Sequence, residues 1–393
     1  MNRSVAARVM VCAFSVLFMV GVQSWAGGPD YDSIAAKLVN DLAAVQPGEV
    51  VVIQGNSDQQ ELLEALVTAT MKAGGQPTVQ VNYPQAAKRG LMEMPVEYMK
   101  FPQWYELAQA RLVDCFINVE SVQDPMLFAD IPEERLEAFR EAGVPLQRAA
   151  QHSRFRSVSL GQTGGIPTAA YAASKNVDYE TMSGMFWGAV DTDYAALMKK
   201  ARSVAGGLEP GEAVRVTSGA GTDITFLVGD SPARVNCGRP DDNQVASGPM
   251  MSWLPAGEAY TTVRPGSANG TVVVPSMDFR GMPVKNLRMT FKDGTMASLS
   301  ADKNGGAVQD FLDSTTGDPL MLSIVDVGVN PDSKPFPGSD YASWEMGGMV
   351  TLSTGDNSWA GGSTEASGGL NFHLTGATLI AGGNTLCENG RLR

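Results

Sequence analysis

Between Tyr31 and Leu160 the chain switches repeatedly between helical hydrophobic spacing and short runs of consecutive β-branched residues. No other feature of the 393 residues narrows the fold so far. Ile34 to Leu42 has helical spacing, Pro47-Gly48 is a turn, and Val50 to Ile53 is an apolar run suited to a strand buried on both faces. Glu61 to Ala73 reads as a helix stopped by Gly74-Gly75, after which Thr78 to Val81 resumes a strand. Leu112 to Val119 and Arg156 to Leu160 repeat the strand signal around a charged helix from Pro132 to Ala142 that ends at Gly143. Strand–helix alternation of this kind points to a parallel sheet covered by helices, flavodoxin-like or Rossmann-like.

From Asp191 the pattern changes. Tyr194 to Val204 is helical, and Leu208-Glu209-Pro210-Gly211-Glu212 turns into a strand at Val214, echoing Val45 to Val52. After that strands dominate: Ile224–Val228, Thr271–Val274, Leu287–Phe291, Leu322–Val329, Met349–Thr354 and Ala377–Ala381, with turns such as Lys292-Asp293-Gly294 between them. The expectation is an α/β chain of two domains, an N-terminal parallel-sheet domain over 27–190 and a β-rich α+β domain over 191–393. Roughly 365 residues exceed what one hydrophobic core usually serves.

Residues 1–26 are set apart. Arg3 and Arg8 precede an apolar run of 14 residues, Val9 to Val22, and Ser24-Trp25-Ala26 offers a small-x-small cleavage site. A spanning helix needs roughly 20 apolar residues, so the run reads as a signal peptide and not an anchor. The mature protein is therefore expected in a periplasm or outside the cell, without membrane attachment. Its cysteines are Cys115, Cys237 and Cys387, too few and odd in number for a disulfide scaffold, and Cys115 reads as a buried small hydrophobe. The formal charge of −13 falls to −15 once Arg3 and Arg8 are removed. Such a surface repels phosphate backbones, which excludes nucleic acid as a partner.

Gly161 to Pro167 is a glycine-rich loop after a strand, but its spacing is not the dinucleotide fingerprint and no Gly-Lys-Ser/Thr follows. It reads as a linker, with no organic cofactor implied. No GxSxG elbow is present. The whole chain has two histidines, His152 and His373, so a Ser/His/Asp or Cys/His system would have to use one of them. Met182 to Trp187 and Pro249 to Trp253 read as core or interface.

Several segments carry a resemblance. In order they are Pro47 to Val52 with Ala73 to Val79, then Gly221-Thr222-Asp223-Ile224-Thr225-Phe226, Leu254-Pro255-Ala256-Gly257-Glu258 through Thr261, Gly270-Thr271-Val272-Val273-Val274, and Phe291-Lys292-Asp293-Gly294. Together they resemble the aminopeptidase T-like metallo-aminopeptidases. The resemblance implies a hydrolase in which paired divalent ions polarise a peptide carbonyl and supply a hydroxide, and it suggests a homodimer. It also implies a ligand set of two acids, a GTxH histidine and an HxD pair.

Carried onto this chain, the first acid is Glu258 and the second is Asp326, alone among valines in Ile324 to Val329. Thr351 stands where the GTxH histidine would be. Asn371 and His373 occupy the HxD positions; a register two residues on puts His373 on the histidine and Thr375 on the aspartate. His152 reads as a surface residue.

Two readings follow. In the first, one divalent ion (Zn, Mn, Co or Fe) is held by Glu258, Asp326 and His373, and the chain removes N-terminal residues from peptides. In the second, no metal is bound and the chain is a periplasmic binding or assembly protein with a peptide or small molecule in the interdomain cleft. A third, resembling ring-cleaving non-haem iron dioxygenases of related fold, needs two histidines and a carboxylate at one centre. The histidine count weighs against it.

Overall fold

The computed structural model describes residues 29–393 apart from 122, 125, 129, 153–154, 162–164, 240–249 and 335–342. The leader inferred for residues 1–26 lies outside these. Among the described residues no helix is long and apolar enough to cross a membrane.

Strands β1 (Val50–Asn56), β2 (Gln76–Asn82), β3 (Cys115–Val119) and β4 (Arg156–Leu160) fall on the apolar runs of the first half and pair in parallel in the order β2-β1-β3-β4. Val51, Ile53, Cys115, Ile117 and Val158 are buried, because these central strands are covered by neighbouring elements, whereas the edge strand β2 is largely exposed. One covering helix, Gln60–Lys72, buries Leu62, Leu63 and Leu66. The charged helix runs further than expected, over Glu133–His152, because Gly143 keeps a right-handed backbone and does not cap it.

The second half contributes β5 (Ala213–Thr217), β6 (Asp223–Leu227), β7 (Arg234–Asn236), β8 (Met250–Leu254), β9 (Glu258–Thr262) and β10 (Asn269–Phe279). There follow β11 (Met282–Lys292), β12 (Thr295–Ser300), β13 (Leu322–Gly328), β14 (Val350–Thr354) and β15 (Asn371–Leu374). The chain ends in β16 (Thr378–Ala381), β17 (Asn384–Glu388) and β18 (Arg391–Leu392). They build an antiparallel sheet β12-β11-β10-β6-β5-β16-β17-β18 and a second, β15-β14-β13-β9-β7. The β11–β12 hairpin closes at Asp293 and Gly294, both at positive φ, as the Asp-Gly pair demands.

The segment read as core or interface at Met250 to Trp253 is β8, and it pairs in parallel with β4 as the fifth strand of the first sheet. The chain then turns through Pro255-Ala256-Gly257 into β9 of the third sheet, so consecutive strands tie the two halves together. Met182, Phe186 and Trp187 are buried in the helix Tyr179–Val190, and the helix Tyr194–Ala205 packs on β7 and β9. Buried apolar residues of both halves form one contiguous cluster.

Candidate functional site

Directly paired residues of an antiparallel sheet point to the same face, so the third sheet can be read as rows. One row runs Arg234, Tyr260, Asp326, Thr351, His373, each opposite the next across β7, β9, β13, β14 and β15. The adjacent row runs Asn236, Glu258, Gly328. Both acids inferred from the sequence therefore lie on one face of the sheet, on adjacent strands and a step of two residues apart.

Two glycines make this arrangement fit. Gly257 has φ +131°, and a Cβ there would lie 2.7 Å from the Cβ of Asn330, so the turn that delivers Glu258 to the head of β9 tolerates no side chain. At Gly328 a Cβ would lie 2.2 Å from the Met346 carbonyl oxygen and 2.4 Å from that of Trp344. Its bareness lets the backbone of 344–346 lie against the sheet. That contact brings the buried Glu345 towards Asp326 and sets the Trp344 ring edge-on to His373, with centroids 5.3 Å apart.

Glu258 is 2% exposed and accepts hydrogen bonds from Asn236 Nδ2 at 3.0 Å and from the indole Nε1 of Trp253. Asp326 is fully buried, and neither of its oxygens accepts a hydrogen bond from an N–H or a hydroxyl among the described residues. The group within its reach is the carboxyl of Glu258, so a bond forms between them when one of the two is protonated. Burial pushes Asp326 well above the usual carboxylate range, and the charges of Glu258 and Glu345 push it further. Burial also raises Glu258, against the two hydrogen bonds that favour its charged form. Of the two, Asp326 is the more strongly raised.

His373 is partly buried and stands beyond Thr351 in the row. Its Nδ1 lies 2.9 Å from the Thr351 hydroxyl oxygen, and desolvation lowers its pKa to about 4, so the ring is neutral. Asn371 faces solvent opposite Ser353. His152 ends the helix Glu133–His152 in the first half of the chain. Cys237, beside Glu258, stays a thiol because burial pushes it up to about 12. Cys115, Cys237 and Cys387 are all buried and free.

Above the acid pair lies an aromatic file. Trp253 faces Tyr260 at 6.1 Å between centroids, and Tyr260 faces Trp359 at 5.3 Å. Trp359 is 50% exposed, and its carbonyl is held by Arg234 at 3.0 Å. Sequence reasoning missed Glu345, Asn236, Tyr260 and the hydrogen bond of Trp253. An acid between Trp344 and Met346, directly before Gly347-Gly348, is the one local signal that could have drawn attention to Glu345.

The structure thus joins Glu258 to Asp326 and leaves His373 apart. Among the described residues no group of three His, Cys, Asp or Glu side chains stands close enough to hold a metal ion. The donor set does not fit a two-ion centre: it brings two carboxyls together, Glu258 and Asp326, and its one imidazole, His373, lies beyond Thr351 and against that hydroxyl.

Strands β8 and β9 thus join a parallel sheet to antiparallel sheets, and the acid pair starts at the head of β9. The profile of the thermophilic metalloprotease family (M29) matches residues 29–319, and the chain belongs to that family. The matched stretch includes Glu258 and stops before β13, so Asp326, Thr351 and His373 lie beyond it.

Among solved structures, wild-type AmpT from Thermus thermophilus is similar over 92% of this chain and 98% of its own, with TM-score 0.65 and 16% identity. The 2,5-dihydroxypyridine dioxygenase of Pseudomonas putida KT2440 is similar over 92% and 96%, with TM-score 0.59 and 13% identity. At these identities the likeness is one of fold. Among curated proteins none matches the sequence.

Proposed function

We propose that this chain is an exported, non-hydrolytic member of its metalloprotease family that binds a peptide or small molecule over the acid face of the third sheet. The observation that carries the reading is the separation of His373 from the Glu258–Asp326 pair by Thr351, with no three-ligand group among the described residues. Metal-dependent peptide hydrolysis needs an ion with at least three protein ligands and an open position. A binding role needs only the fold, and the half-exposed Trp359 at the end of the aromatic file supplies an apolar contact surface. Export rests on the apolar run Val9 to Val22 followed by Ser24-Trp25-Ala26.

The test is hydrolysis of an N-terminal leucyl amide by the mature protein after incubation with Zn, Mn, Co or Fe. The expected result is no metal-stimulated turnover. Turnover that appears with an ion and disappears with a chelator would sink the reading.

A single observation favours the other reading, a one-ion aminopeptidase using Glu258, Asp326 and His373. The oxygens of Asp326 are buried and accept no hydrogen bond from an N–H or a hydroxyl among the described residues, which is a costly arrangement that a cation would relieve. The same assay decides it.

A further inference from the structure

We infer that Thr351 is the residue that keeps this centre from holding a metal ion, and that the rest of the row is a metal cradle lacking one donor. The argument is geometric. Asp326, Thr351 and His373 are successive partners across β13, β14 and β15, so their side chains stand side by side on one face. Directly opposed side chains have Cβ atoms roughly 5 Å apart, a separation from which two donors can converge on one ion. The outer two are separated by two strand spacings, roughly 10 Å, and need the middle position to bridge them.

The middle position carries a hydroxyl, a poor ligand for zinc-like ions, and it is fully buried. It also engages the imidazole. The Thr351 hydroxyl and His373 Nδ1 are 2.9 Å apart, so each satisfies the other and neither is left to seek an ion. Asp326 has both oxygens buried and free of N–H or hydroxyl donors. Glu258 is in contact with it and is itself fixed by Asn236 and Trp253, the outer support that metal-ligating carboxylates have. Of these four positions on one face, three carry a side chain of a metal-ligating type and the one between Asp326 and His373 does not.

The inference rests on the non-hydrolytic reading only in what it says of the wild-type chain; what it says of position 351 stands by itself. The experiment is cobalt titration of the full mature protein, with metal content by elemental analysis, on wild type, T351H and T351C. T351H adds an imidazole. T351C adds a thiolate donor at nearly the volume of threonine, which keeps the test alive if the larger ring does not fit the buried site.

Wild type is expected to retain well under one ion per chain after desalting. Each folded variant is expected to take about one, with visible cobalt absorption, and T351C with an added thiolate charge-transfer band. The gain in affinity over wild type is expected to exceed about 100-fold, since outer-shell partners of a metal ligand are alone worth roughly 10–100-fold. D326N in the T351C background should abolish the band.

Stoichiometric cobalt in wild type without leucyl-amide turnover overturns this inference and leaves the non-hydrolytic reading standing. Turnover with metal in wild type sinks both. Failure of T351H and T351C to load cobalt, or loading unaffected by D326N, overturns the inference alone.

Discussion

His373 and the acid pair pull the pH dependence of stability in opposite directions. The folded pKa of His373, about 4, lies below its ordinary 6.5, so the unfolded chain takes up a proton first as pH falls. Its contribution is present above pH 6.5 and is lost on acidification towards pH 4, by on the order of 2 kcal/mol after allowance for the ring's partial exposure. Glu258 and Asp326 are raised above their ordinary 4.5 and 3.8. Their contribution is present below those values and is lost as pH rises through the folded ones, because the unfolded acids ionise first.

In wild type the two slopes oppose each other within the window from pH 4 to 6.5, where His373 titrates. In H373Q the histidine slope vanishes, and stability is expected to fall as pH rises through that window. In D326N it is expected to rise with pH more steeply than in wild type. Urea denaturation at half-unit pH steps measures both, and identical profiles for wild type and H373Q would contradict the assignment.

At the scale of elements, the site depends on how closely the segment 344–346 lies against β13. Gly328 permits the approach, and its neighbours are backbone carbonyls that cannot swing away. In G328A the segment must move, withdrawing Glu345 from Asp326 and Trp344 from His373. The expected cost is about 2–3 kcal/mol, in the range of overpacked buried sites. Thermal unfolding reads the cost, and a shift of tryptophan emission reads the displacement of Trp344. A melting temperature unchanged from wild type would show that the segment does not depend on this contact. Asn330, two residues beyond Gly328 at the same end of the strand, donates to the carbonyls of Ala189 at 3.0 Å and Ala256 at 2.7 Å. In this way one buried amide fastens β13 to the helix Tyr179–Val190 and to the β8–β9 turn.

Over the whole molecule, the halves expected at 27–190 and 191–393 share a sheet through β8 and a contiguous buried core. Opening one half alone would strip β8 from β4 and expose buried apolar surface of the other half, so the transition should be cooperative. Scanning calorimetry of the mature chain is expected to show one unfolding endotherm, with the transition followed by tryptophan fluorescence coinciding with that followed by circular dichroism. Two resolved endotherms would mean that the halves fold independently.

Much of the fold was determined by the sequence alone, for a local reason. Val50–Ile53 is a strand because a buried parallel strand reads as continuously apolar, and the short β-branched or alternating runs Thr78–Val81, Cys115–Val119 and Arg156–Leu160 are visible without any partner. The Asp293-Gly294 turn and the helix Tyr194–Ala205 were equally legible. Glu258 and Asp326 were picked out through the family resemblance, and the structure places both on one face of the third sheet.

The partner of each strand was not legible. Register across β13, β14 and β15 is set by tertiary pairing, and it alone decides that Thr351 lies between Asp326 and His373. Likewise β8 carries too short a pattern to reveal that it leaves the second half to complete the first sheet. Glu345 reaches the acid pair only because Gly328, 17 residues earlier, leaves it room. Local chemistry chose the elements; the close approach of backbones distant in sequence chose which side chains meet.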